Sequence, residues 1–155
     1  MRNMKITGSL AVAGAIAIGG IGLANAGGAS AHSASDVIRQ GCGSGYSVVK
    51  DGHRGIYKNG KKWGDVYLTY NASNGMNCVV TRKVAWHGTY TPTLARLDVA
   101  NDGRGYVQDW KKYKYFAATK AYGKGKCVAY WGDVRPGWDA RPHASAGRWT
   151  WGNCG

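Results

Sequence analysis

Three dipeptides, Asn59-Gly60, Asn74-Gly75 and Asp102-Gly103, each separate two stretches rich in β-branched and aromatic residues. Both central residues of a type I′ hairpin turn need positive φ, which Asn, Asp and Gly adopt at least cost. The segments they join include 55–58 and 61–63, 66–71 and 77–84, and 95–100 and 105–110. Residues 122–125, Tyr-Gly-Lys-Gly, offer a further turn before 126–131. Between the turns the apolar period is close to two. Val66, Leu68 and Tyr70 share one face, and Ala95, Leu97 and Val99 share another with Arg96 and Asp98 opposite. Cys127, Ala129 and Trp131 line one side of their segment, as do Trp149 and Trp151 near the end. Such alternation marks half-buried antiparallel strands. Only 116–122, with three alanines, has a composition compatible with a helix. The expected fold is all-β: a meander closing into a small antiparallel barrel or sandwich.

Four cysteines, Cys42, Cys78, Cys127 and Cys154, lie behind an export-type N-terminus. Arg2 and Lys5 precede an uncharged apolar run from Ile6 to Leu23, and Ala24-Asn25-Ala26 fits a signal-peptidase site. A second such site is Ala29-Ser30-Ala31. The glycines within the run make it a poor permanent anchor, and no cysteine follows for lipidation. The expected organisation is a signal peptide over 1–26, a flexible leader over 27–40 and one disulfide-stapled β domain over 41–155. The mature part is expected to be exported, soluble, monomeric and without an integral membrane segment. An even cysteine count in an oxidising compartment points to two disulfides, and the absence of CxxC argues against a zinc ribbon or a thiol-redox centre. No metal or cofactor is implied.

The formal charge of +13 falls to +11 without Arg2 and Lys5, and all eight acidic residues are Asp. The excess favours anionic partners such as nucleic acid or acidic wall polymers. Basic and aromatic residues interleave in three places: Lys58, Lys61, Lys62 and Trp63; Lys111, Lys112 and Lys114; and Lys124 and Lys126. Such clusters can pair phosphates with cations and stack rings on sugars or bases. An ordinary half-buried strand, tyrosines inward and lysines in water, gives the same pattern. Seven Trp and ten Tyr stand against one Phe, so the rings carry a polar edge. Trp63 on a lysine-rich turn and Trp138 in Pro136-Gly137-Trp138 are the surface candidates, and carbohydrate is a possible ligand. Trp149 and Trp151, beside Cys154, read as core or staple packing.

Signals for catalysis are weak. No G-x-S-x-G elbow is present, H-E-x-x-H is impossible without Glu, and the aspartates fall at turns or on polar strand faces. A basic secreted nuclease needs acid–base groups beside a phosphate-binding cation. His53, His87 and His143 could serve only by converging in the fold. Asn71-Ala72-Ser73 has the form of a glycosylation sequon and is read as turn chemistry.

The segments Cys42-Gly43-Ser44-Gly45-Tyr46, Val66-Tyr67-Leu68-Thr69-Tyr70-Asn71, Asn77-Cys78-Val79-Val80-Thr81, Gly125-Lys126-Cys127-Val128 with Trp131-Gly132, and Asn153-Cys154-Gly155 occur in that order. Together they resemble the spore-associated protein A family of streptomycetes and related actinobacteria, across most of Gly41 to Gly155. The resemblance implies a small exported protein of the spore or cell surface with no catalytic residues to carry over. The expected function is non-enzymatic: surface association through basic and aromatic contacts with anionic cell-wall or spore-surface polymers. The alternatives are a secreted basic nuclease or toxin and a small hydrolase inhibitor.

Four cysteines allow three pairings. The hairpins split the domain into an early half with Cys42 and Cys78 and a late half with Cys127 and Cys154. The expected bonds are therefore Cys42–Cys78 and Cys127–Cys154, each joining a domain edge to a central strand.

Overall fold

The computed structural model describes residues 31–139 and 141–155. The expected signal peptide and the first part of the leader lie outside the described residues. One helix, α1 (Ala34–Cys42), precedes eight strands. These are β1 (Ser47–Lys58), β2 (Lys61–Asn71), β3 (Met76–Lys83), β4 (Thr91–Val99), β5 (Tyr106–Tyr113), β6 (Phe116–Tyr122), β7 (Val128–Val134) and β8 (Ala144–Gly152). They form two four-stranded sheets, β1-β2-β3-β6 and β5-β4-β7-β8, with every pair antiparallel. The fold is thus a sandwich, and no closed barrel forms among the described strands. It is also not a simple meander. The β4–β5 hairpin crosses to the second sheet, and the chain then returns to lay β6 beside β3.

The core lies between the sheets. Ile56, Val66, Leu68 and Val79 meet Leu97, Val99, Val128, Tyr130 and Val134 there, nearly all without solvent contact. The expected β4 face of Ala95, Leu97 and Val99 points into this core, leaving Arg96 and Asp98 outside.

Of the three turn dipeptides, only Asn59-Gly60 forms a two-residue turn with both residues at positive φ, 50° and 73°. At 72–75 the loop has four residues, and Gly75 alone takes positive φ, at 71°. Here Asn71 Oδ1 accepts hydrogen bonds from the Ser73 N–H (3.0 Å) and hydroxyl (2.6 Å), so the sequon-like triplet builds the turn. The β4–β5 loop is longer, with positive φ at Asn101, Gly103 and Gly105.

Two local expectations are corrected. The segment 116–122 is strand β6, not helix. Its alanines serve close approach: Ala117 and Ala121 face the core, while Ala118 lies under α1, where a Cβ on Gly41 would come within 2.7 Å of it. The leader is not flexible throughout, because its second half is α1. Ser33 caps that helix by accepting a hydrogen bond from the Asp36 N–H at 3.1 Å, satisfying an otherwise orphaned donor. Val37, Ile38 and Cys42 then bury against Tyr67, Cys78 and Val80 on the outer face of the first sheet.

Both disulfides form as expected, Cys42–Cys78 and Cys127–Cys154. The first fastens α1 to central strand β3. The second fastens the chain end to the start of β7. Among the described residues no helix is long and apolar enough to cross a membrane.

Candidate functional site

The helix makes the two sheets unequal. The outer face of the first sheet is partly covered by α1, whereas that of the second carries no covering element among the described residues. Strand alternation decides what stands there. Val128, Tyr130 and Val134 of β7 point inward, so Ala129, Trp131 and Asp133 point outward. On β4 the outward set includes Arg96 and Asp98. On β5, Val107 and Tyr113 pack on the core, which turns Tyr106, Gln108, Trp110 and Lys112 out.

Register then brings distant residues into one row. Arg96 pairs with Trp131 across β4–β7, and Asp98 pairs with Tyr106 across β4–β5. The Arg96 guanidinium lies 3.3 Å from the Tyr106 ring centre and 4.0 Å from that of Trp131. The Trp149 ring follows, 4.4 Å from Trp131. Tyr106, Arg96, Trp131 and Trp149 thus cross all four strands, a width of about 14 Å at the usual strand spacing. Asp98 accepts a hydrogen bond from Arg96 Nε at 3.3 Å and fixes the guanidinium plane. A cation held between two rings is favourable and also immobilises the rings.

A second group flanks the row. Arg135 lies 5.1 Å from the Trp110 ring centre, and Trp138 meets Trp110 edge-on at 5.7 Å. Trp151 and Tyr106 bound a cleft of about 300 Å³ that also includes Asp98 and the 101–105 loop. Tyr106, Trp110, Trp138, Trp149 and Trp151 are all 40–57% exposed. Exposed aromatic surface on this scale marks an interaction site more often than an ordinary surface.

One glycine holds the row in place. A Cβ on Gly147 would run into the Tyr130 carbonyl oxygen and the Cα and Cβ of Trp131. Gly147→Ala should therefore push β8 from β7, cost about 1–3 kcal/mol by overpacking, and weaken the near-ultraviolet circular dichroism of the Trp131–Trp149 pair. Urea denaturation and that spectrum check it; wild-type values in both would contradict this packing.

The residues expected from sequence are dispersed. Lys58 and Lys61 flank the β1–β2 turn, and Lys62 is committed to Asp65 at 2.8 Å. Trp63 is half-buried rather than fully exposed. It packs against the edge of the core and meets Trp86 edge-on at 4.7 Å. Lys111 and Lys112 are exposed on β5, an edge strand, where lysines also discourage edge-to-edge pairing. Lys114 lies 5.0 Å over the Tyr90 ring, and Lys126 donates to the Asn101 carbonyl at 2.8 Å. Lys124 is exposed in the β6–β7 turn. Of all these, only Trp138 and Lys112 belong to the aromatic face. Trp149 and Trp151 correct the sequence reading in the other direction: both are exposed, not core.

Spore-associated protein A of Streptomyces coelicolor is 35% identical over 150 residues, covering 95% of this chain and 86% of that protein. The chain belongs to the spore-associated protein A family. No protein-family model and no solved structure matches it.

In this family member Asp65 and Arg82 link His53 to His32 and so to His87, while His143 stands apart on the second sheet. His53 Nε2 contacts Asp65 at 2.8 Å, and its ring stacks on Tyr67. His87 Nε2 meets His32 Nδ1 at 3.1 Å beside Tyr115. His143 Nδ1 contacts Asp133 at 2.9 Å on the other sheet. Burial first, then His32, Lys83 and Arg82, lower the His87 pKa. Asp65 is fully buried. Burial alone would raise its carboxyl, but hydrogen bonds from Lys62, Arg82 and His53 outweigh that and hold it below the ordinary carboxylate range. With its oxygens engaged by His53, Lys62 and Arg82, Asp65 ties β1, β2 and β3 together.

Proposed function

We propose that this protein is a non-enzymatic, exported, spore- or cell-surface-associated protein whose second sheet grips anionic envelope glycopolymers. The row Tyr106–Arg96–Trp131–Trp149 carries this reading. Flat exposed rings offer apolar faces for sugar rings, and the guanidiniums of Arg96 and Arg135, each paired with an aspartate, add hydrogen-bond donors within the same surface. Because the rings are already braced by cations and neighbouring strands, little side-chain freedom is lost on binding, which favours affinity. The net positive charge of the chain supports an anionic polymer over a neutral one. The name of the S. coelicolor relative supports location at the spore.

The test is retention on washed spore and vegetative cell walls. The protein should bind at low salt and be progressively released as salt is raised, because screening shortens the reach of surface charge. The double change Trp131→Ala, Trp149→Ala should lower retention at least tenfold at every salt concentration, since exposed aromatic stacking contributes roughly 1–3 kcal/mol per ring. Retention unchanged by salt and by the double substitution would overturn the reading.

A further inference from the structure

At the end of the aromatic face, Arg135, Trp138, Asp139, Arg141 and His143 line an almost wholly polar cleft of about 290 Å³. The chemistry beneath it is unusual. Asp133 is only 3% exposed; Arg135 spans both its oxygens, with Nη2 reaching Oδ2 at 3.4 Å, and His143 shares Oδ2. Arg135 donates to Oδ1 through Nε at 2.6 Å, and His143 Nδ1 is 2.9 Å from Oδ2. A single buried carboxylate therefore orients both a guanidinium and an imidazole whose remaining polar edges face outward. With Nδ1 committed, Nε2 is the nitrogen that His143 presents to the cleft. Exposed Arg141 brings a second guanidinium to the same space, and Asp139 supplies a carboxylate at its margin.

We infer that this cleft is a subsite for a phosphodiester flanked by hydroxyl groups, as in a polyol-phosphate or sugar-phosphate polymer. This inference rests on the glycopolymer reading and names its ligand class. The donors Arg135, Arg141 and His143 all stand on the β7–β8 loop and line the cleft from separate points along it. A tetrahedral phosphate presents oxygens in that arrangement, whereas a planar carboxylate is satisfied by one guanidinium fork. In its imidazolium form His143 donates through both nitrogens, one to Asp133 and one to the ligand. Asp133 and Asp139 offset the two arginines, so a net positive charge arises only in the imidazolium form of His143. That balance suits the single charge of a phosphodiester better than a dianionic monoester. Asp139 would repel a second negative charge but accepts hydrogen bonds from ligand hydroxyls. The Trp138 ring, braced against Trp110, gives an apolar wall for the adjacent carbon skeleton.

Calorimetric titration of the purified protein tests this with three probes: a glycerol-phosphate oligomer, an oligogalacturonate of equal length and charge, and a neutral glucan. The wild type should bind the glycerol-phosphate oligomer about tenfold tighter than the oligogalacturonate. Arg141→Gln, an exposed change that leaves the Asp133 cluster intact, should cost about tenfold for the phosphate probe, the lower end expected for a charged hydrogen bond. It should leave any binding of the neutral glucan unchanged. His143→Asn should weaken the phosphate probe in the same sense. Equal affinity for the two anionic probes, or Arg141→Gln with wild-type affinity, overturns the subsite. Trp149→Ala separates the two proposals. If the phosphate probe depends on Arg141 but not on Trp149, the cleft stands and the aromatic-row reading falls. If Trp149 matters and Arg141 does not, the reverse holds, and binding of no probe overturns both.

Discussion

Folding stability should rise by about 2 kcal/mol between roughly pH 8 and pH 10, with Lys83 as the cause. Lys83 is fully buried and faces inward at the end of β3. Its ammonium donates to the Thr89 carbonyl at 2.7 Å, the Thr91 hydroxyl at 2.5 Å and the Tyr113 carbonyl at 2.8 Å. All three partners are neutral, and among the described residues no carboxylate pairs with it. Burial lowers its pKa from 10.5 to about 8. The unfolded chain therefore holds this proton more tightly than the folded one. Between the two pKa values the unfolded state carries more protons, so unfolding becomes less favourable as pH rises.

The tyrosines set the upper limit of that gain. Burial, then the hydrogen bond to Asp109, pushes Tyr113 up to about 12, and burial also raises Tyr67 and Tyr130. The folded state keeps these protons while the unfolded state loses them from about pH 10, so stability falls again at higher pH. The expected profile climbs from pH 8, peaks near pH 10 and then declines. Urea midpoints measured across the range check it. Lys83→Met should abolish the climb while keeping the decline. It should also lower stability overall, since the Thr89 and Tyr113 carbonyls lose a donor. A wild-type profile that stays flat from pH 8 to pH 10 would show that Lys83 does not titrate as a buried, unpaired cation.

The difference between Lys83 and the basic clusters shows what the sequence conveys and what it withholds. Alternation within a strand is local, so the inward face of Ala95, Leu97 and Val99, and hence the outward position of Arg96, can be read directly. Which rings Arg96 meets cannot. Tyr106 and Trp131 reach it through two pairings whose register depends on the whole sheet. Composition is no guide to which indole is buried. Trp63 sits in a lysine-rich turn and packs against the edge of the core, while Trp149 and Trp151 sit beside a cysteine and face solvent. The β7–β8 pairing is also irregular here, with two extra residues of β8 between Arg148 and Gly152 opposite Val128 to Tyr130. By contrast α1 left a legible trace. Ser33 followed three residues later by Asp36 is a capping pattern, and Val37-Ile38 supplies the apolar contact. Its shortness and polar surroundings hid it. The consequence for function is direct: without α1 on one sheet, the exposed face of the other has no contrast to make it stand out.

The two disulfides should separate stability from function when removed in turn. Chain entropy gives them similar weight, about 3.5–4 kcal/mol each, because they close comparable spans of 36 and 27 residues. Their native surroundings differ. Cys42 and Cys78 are buried between α1 and β3, in contact with Val37, Tyr67 and Val80. Replacing both with Ala removes the tether and leaves space in a packed cluster, so the full loss, about 4 kcal/mol, should appear. Amide exchange in Ala34–Cys42 should accelerate first, since α1 then docks by its short apolar stripe alone. Cys154 is exposed one residue from the end of the chain, and Cys127 is half-buried at the start of β7. Replacing that pair lets the end of β8 fray from the native state, which recovers entropy for the folded protein and should reduce the loss to about 2 kcal/mol. The fraying segment follows Trp149 and carries Trp151, so this variant should lose wall retention before it loses its fold. Denaturant midpoints, α1 amide exchange and wall retention measured on both double variants decide the matter. Equal destabilisation with unchanged α1 protection, or full retention after loss of Cys127–Cys154, would show that the two staples are interchangeable and that the binding face does not depend on the end of β8.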